Sequence, residues 1–190
     1  DGFAAAITAA CQQIEESEHP PSLADLAATA GLSRFHFHRR FKAAVGVTPK
    51  AYAAAVRARR MRDELPRANS VTDAIYAAGY ASSSRFYENE AAALGMSPAA
   101  FRDRGRGEVI RFGFGDTTLG RIVVAATAKG VCAILFGAAD AELVDDLAGR
   151  FAKAELIGPD GELAAVVGKV VAMIEQPKAS LQLQIGRAHV

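Results

Sequence analysis

The chain has 190 residues, of which 51% are hydrophobic and 23% charged, with a net charge of +1. That apolar content is enough to bury cores and excludes a disordered or collagen-like polymer, and at about 100 to 150 residues per domain the length predicts two small domains. Cys11 and Cys132 are far apart, no CxxC or HExxH spacing occurs, and no apolar run approaches a membrane span, so neither a zinc site nor a membrane is expected and the setting is predicted to be the reducing cytoplasm.

In chain order, Phe3, Ile7, Cys11 and Ile14 predict an amphipathic helix that ends before His19-Pro20-Pro21. Ser22 is placed to cap the next helix, with Leu23, Leu26 and Ala30 on one face and Gly31 ending it. Ser33 caps a third helix in which Phe37, Phe41 and Val45 repeat at i, i+4, i+8 as the buried stripe. Phe35, His38, Arg39 and Lys42 fall on another face, and His36 is assigned to packing. Thr48 and Pro49 start a helix that runs to about Leu65, where Pro66 breaks it.

The pattern then repeats. Ser22-Leu23-Ala24-Asp25 through Ala30-Gly31-Leu32 recurs as Ser70-Val71-Thr72-Asp73 through Ala78-Gly79-Tyr80, and Gly46-Val47-Thr48-Pro49 recurs as Gly95-Met96-Ser97-Pro98. In the second copy Gly79 is the turn, Ser82 the cap, and Phe86, Ala93 and Leu94 the buried side. Two copies are too few for a solenoid, so a repeated helix-turn-helix is expected, at about residues 15–48 and 66–104. The helix between them, at 1.5 Å per residue, spans on the order of 25 Å. It is expected to hold the two units apart for neighbouring turns of a duplex, about 34 Å per turn.

Residues 102–107 read as a linker closing a first domain, 1–106. Beyond it, Val109-Ile110-Arg111-Phe112, Arg121-Ile122-Val123-Val124 and Val131 to Phe136 are β-branched runs, with Gly113, Gly115, Gly120 and Lys129-Gly130 taken as hairpin turns. Helical patterns return near 139–151 and 162–174, so an α+β unit is predicted from about 107 to 184.

Charge is uneven. Residues 1–33 carry five acids and no Lys or Arg, whereas residues 34–67 carry ten bases against Asp63 and Glu64, a local charge of +8. Such a segment fits either a polyanion partner or a solvated helix face. The capped helix favours the first, because arginine forks reach both phosphates and guanine edges in the major groove, and an exposed Phe can meet a thymine methyl. The expected DNA-contacting set is Ser33, Arg34, Phe35, His38, Arg39 and Lys42, with Ser83, Ser84, Arg85 and Tyr87 as a weaker counterpart beside the repelling Glu88 and Glu90. His36 and His38, two apart on a helix, cannot share a metal ion. Cys132 lies in an apolar strand with no adjacent base and is expected as a buried structural thiol. No catalytic or metal-binding residue is expected.

Leu32-Ser33-Arg34-Phe35-His36-Phe37-His38-Arg39-Arg40-Phe41-Lys42 with Gly46-Val47-Thr48-Pro49 resembles the AraC/XylS-type transcriptional activators. Asp116-Thr117-Thr118-Leu119-Gly120-Arg121 and Gly130-Val131-Cys132-Ala133-Ile134-Leu135-Phe136-Gly137 resemble the ribonuclease-like N-terminal part of O6-methylguanine-DNA methyltransferases. In tandem they are similar to activators of the adaptive response to DNA alkylation, over nearly the whole chain up to about residue 184. The resemblance implies a multidomain protein: an all-α, homeodomain-like double helix-turn-helix of AraC type followed by an α+β ribonuclease H-like subdomain. Double-stranded DNA and RNA polymerase are the implied partners, with methyl transfer to cysteine as an alternative main role in a longer parent. The implied four-cysteine zinc module and Pro-Cys-His-Arg loop are not in this sequence, so no cofactor and no methyltransferase activity are expected of this fragment. Ile185 to Val190 look like a sequencing-adapter read and are given no function.

Overall fold

The computed structural model describes residues 2–89 and 91–175; Glu90 and the adapter-like residues 185–190 lie outside the described residues. The chain separates into two compact units, residues 1–57 and 58–175.

In the first unit, α1 (Gly2–Glu16) turns Ile7, Ala10 and Ile14 inward. Helix α2 (Leu23–Thr29) begins with a complete capping box: the Ser22 hydroxyl accepts from the Asp25 backbone amide while the Asp25 carboxylate accepts from the Ser22 amide. A cap of this kind contributes about 1 kcal/mol to a helix of only seven residues, too short to hold itself in water. Gly31, at φ 65°, turns the chain into α3 (Arg34–Val45). Phe37 and Phe41 of α3 are fully buried among Ile7, Ile14, Leu26 and Val56. Helix α4 (Pro49–Glu64) follows, its first turn capped by the Thr48 hydroxyl, which accepts from the Ala51 amide at 3.1 Å.

The second unit repeats the helical motif as α5 (Val71–Ala77), α6 (Ser83–Asn89), a 3-10 turn (Ala91–Leu94) and α7 (Pro98–Arg102). It adds a four-stranded sheet of β1 (Val109–Thr117), β2 (Gly120–Thr127), β3 (Gly130–Gly137) and β4 (Glu155–Ile157), with α8 (Asp140–Arg150) and α9 (Ala164–Glu175). The strand order is β3-β2-β1-β4; β1 to β3 form an antiparallel meander and β4 runs parallel to β1. Met61, Ile75, Phe86 and Phe101 share one core with Ile110, Val123, Leu147 and Phe151, so the second helical copy and the sheet fold around the same interior. On the opposite sheet face, Ile122 and Val124 pack with Leu163 and Val167.

Several expectations change here. Residues 102–107 are not a linker. Arg102 donates from Nε to the Ala68 carbonyl at 3.0 Å, Gly105 is buried with its amide on the Ala100 carbonyl, and Asp103 pairs with Arg106 and Lys153. Glycine and charge, which suggest a flexible joint, here serve a series of tight turns at φ 79° for Gly105 and 76° for Gly107. Gly113 and Gly115 lie inside β1 rather than at hairpin turns, because α9 packs over them: a Cβ at Gly115 would stand 2.8 Å from Val171 Cγ2. Gly120 and Gly130 do begin β2 and β3 at the turns. Ala93 is exposed instead of buried, because α6 ends at Asn89 and the 3-10 turn changes the register, leaving Leu94 to face the core. Strand β4 is three residues long, too short for its sequence to carry a periodic signal.

Candidate nucleic-acid interface

The site is built from α3 outward. Ser33 caps the helix, its hydroxyl accepting from the His36 amide at 3.4 Å, and Gly46 at φ 84° ends it with its amide on the Lys42 carbonyl. Beneath, Phe37 and Phe41 stack at 5.7 Å and Phe41 meets Tyr52 edge to face at 5.9 Å. The Tyr52 hydroxyl donates to the Glu15 carboxylate, and burial with that bond pushes its pKa above the usual phenol value. Burial also raises the Cys11 thiol, partly offset by its hydrogen bond with Tyr52. These contacts fix the rotation of α3, and with it which side chains point away.

At about 100° per residue, the side opposite Phe37 and Phe41 carries Phe35, Arg39 and Lys42. Phe35 is 70% exposed, and the Arg39 guanidinium sits 5.6 Å from its ring centroid. Arg34, Phe35, His38, Arg39 and Lys42 are all exposed. Among the described residues no carboxylate pairs with Arg34, Arg39 or Lys42. The helix also starts on Arg34 with no acid in its first turn, so its positive dipole end is left uncompensated. An anion laid against this end relieves both charges at once.

His38 lies nearer the core edge and lines a groove of about 490 Å³ with Pro20, Pro21, Lys50 and Arg57. Lys50 and Arg57 belong to the basic stretch but not to the expected contact set; they come beside His38 because residues of α2, α3 and α4 share one core, which no local pattern shows. His36 is exposed, its ring 6.2 Å from that of Phe35, and does not pack as expected, because one residue before Phe37 the helix already faces outward. Arg40, on the far flank, covers the Phe3 ring of α1 at 4.6 Å.

The second copy places Ser82 as a cap, accepting from the Arg85 amide at 3.4 Å, and turns Ser84, Arg85, Tyr87 and Glu88 outward with Ser83 half-buried. Its helix has seven residues against twelve in α3, and Glu88 stands at the position of Arg39 in the repeat. Cys132 is buried, its thiol donating to the Ala125 carbonyl at 3.4 Å, and burial pushes its pKa up to about 12. Among the described residues no group of three or more His, Cys, Asp or Glu is placed to hold a metal ion, and no helix is long and apolar enough to cross a membrane.

Two capped helix pairs, each joined by a tight glycine turn, form a repeated helix-turn-helix motif, and a family model described as "Helix-turn-helix domain" matches residues 26–104. Two curated relatives align with 94% of the chain. The chain is 40% identical over 179 residues to the "Bifunctional transcriptional activator/DNA repair enzyme Ada" of Escherichia coli (strain K12), and 38% identical over 179 residues to the "Regulatory protein ada" of Salmonella typhimurium (strain LT2). The chain spans 50% of the length of each. Among solved structures, the DNA-binding domain of AdpA, a global transcriptional factor in complex with a target DNA, is 27% identical with a TM-score of 0.46, over 53% of this chain and 90% of that one.

Proposed function

We propose that this chain is the DNA-binding part of an Ada-type transcriptional activator of the response to DNA alkylation, acting in the cytoplasm on double-stranded DNA and recruiting RNA polymerase. The observation that carries the reading is the exposed and uncompensated cationic face of α3. In this reading α3 enters the major groove: Arg39 and Arg34 reach phosphates or guanine edges, Phe35 meets a thymine methyl, and Lys42 and His38 hold neighbouring backbone. Ser33 contributes through the cap that aims the helix. Ser83, Ser84, Arg85 and Tyr87 make weaker, sequence-tolerant contacts, since Glu88 repels phosphate. The helical DNA-binding domain is assigned to 1–106.

Residues 107–184 are assigned as the ribonuclease H-like start of a methylated-DNA methyltransferase domain; the antiparallel β1-β2-β3 meander with a parallel β4 beside β1 is consistent with it. This chain itself transfers no methyl group. A thiol protonated up to about pH 12 and bonded to a carbonyl is not a nucleophile at neutral pH. Incubation with methyl-labelled DNA is expected to leave Cys11 and Cys132 unlabelled, and stoichiometric label on either would refute that assignment.

The DNA reading is tested by titrating an alkylation-response promoter at two salt concentrations. Affinity should fall steeply with salt, and Arg39→Ala should weaken binding by about 1–3 kcal/mol if it reads a base, or lower the salt slope by about 1 if it holds a phosphate. Salt-indifferent binding, or an unchanged isotherm for Arg39→Ala, would overturn it.

A further inference from the structure

A cavity of about 520 Å³ opens within the second unit, in the size range of small-molecule sites. Its floor is apolar: Val131 and Leu135 of β3 lie beside Phe101 and Phe151, whose rings meet edge to face at 5.4 Å. Its rim carries five arginines against one carboxylate, Asp63. Two of the five are committed. Arg62 donates to the carbonyls of Ala58 and Ala93, and Arg150 is held by the Asp146 carboxylate through two hydrogen bonds. Arg59, Arg67 and Arg104 have no side-chain hydrogen bond or ion pair among the described residues.

Three guanidinium groups around one mouth repel one another, and each offers a planar fork suited to a carboxylate or phosphate. An anion at the mouth turns that repulsion into attraction, while an apolar group on the same molecule fills the floor. We propose that this cavity binds a small amphiphilic organic anion, with a carboxylate or phosphate head on Arg67 and Arg104 and an apolar or aromatic body against Phe101, Leu135 and Phe151. The floor distinguishes the site from a surface for nucleic-acid backbone, which brings charge but no apolar body. Binding is non-covalent, since the Cys132 thiol in the lining is already given to the Ala125 carbonyl.

The test uses the full chain and calorimetric titration with adenosine monophosphate, a phosphate on an aromatic body, and decanoate, a carboxylate on an aliphatic one. Adenosine and inorganic phosphate serve as the separated halves. At least one amphiphile should bind with a dissociation constant below about 1 mM, and the separated halves should bind at least about tenfold more weakly. Arg67→Ala combined with Arg104→Ala should weaken the amphiphile by about tenfold or more. Gly149→Phe should abolish binding without lowering the melting temperature, because Gly149 lines the cavity and a Cβ there meets nothing within 4 Å. Three results overturn the proposal: neither amphiphile binding, affinities unchanged in Gly149→Phe, or displacement of the amphiphile by duplex DNA of unrelated sequence, which would make the rim a polyanion surface.

Discussion

Phe35 and Phe41 are six residues apart on α3 and have opposite duties. Phe41 is fully buried and braced by two aromatic neighbours, whereas Phe35 is 70% exposed beneath the Arg39 guanidinium. Phe41→Ala should therefore lower unfolding free energy by about 3–5 kcal/mol, and Phe35→Ala should change it by no more than about 0.5 kcal/mol while weakening DNA binding. Urea denaturation beside a DNA titration separates the two effects. Cys132 gives a pH dependence whose sign follows from its burial. Its thiol holds a proton to about pH 12 when folded, against an ordinary value of 9.0, so the unfolded chain releases its proton first. The stabilisation is complete below pH 9 and is lost as pH rises from 9 toward 12, by up to about 1.4 kcal/mol per pH unit. Denaturation at pH 8 and pH 10.5 should show this loss, and Cys132→Ala should remove that part of it.

Turns made by similar glycines carry unequal loads. Gly31 adopts φ 65° with nothing within 4 Å of where a Cβ would stand, so Gly31→Ala should cost only the left-handed conformation, about 1 kcal/mol. Gly95 has φ 68°, but its Cβ would lie 2.6 Å from the Val131 backbone, and its carbonyl accepts from the Thr127 hydroxyl. Gly95→Ala must push the turn off β3 and should cost at least about 2 kcal/mol more than Gly31→Ala, measured by melting temperature on the two variants side by side. The sequence repeat makes α3 and α6 counterparts, yet α6 stops after seven residues. In the repeat, α3 has two buried aromatic residues, Phe37 and Phe41, whereas the second copy has the buried Phe86 alone at the matching positions, its other being a glutamate in the sequence. The longer helix is thus also the better anchored one.

On the scale of the second unit, the core joins residues from Met61 to Phe101 with residues from Ile110 to Phe151. Phe86→Ala in α6 and Leu147→Ala in α8, both within that core, should each destabilise by about 2–5 kcal/mol and lower amide-exchange protection together across α5 to α7 and β1 to β3. Loss of protection in the helices with the strands unchanged would show two cores where the packing makes one. What the sequence determined was local: the serine caps, the glycine turns, the period of 3.6 giving way to strands, the duplicated helix-turn-helix, and the face of α3 that carries charge. Each follows from interactions a few residues long, which a single chain displays openly. The tertiary structure alone decided that residues 102–107 are packed turns, that Gly113 and Gly115 lie inside a strand beneath α9, and that five arginines from three separate stretches of the chain line one cavity. Those outcomes depend on contacts between residues tens of positions apart, where the energy lies in which surfaces meet and no periodicity records it.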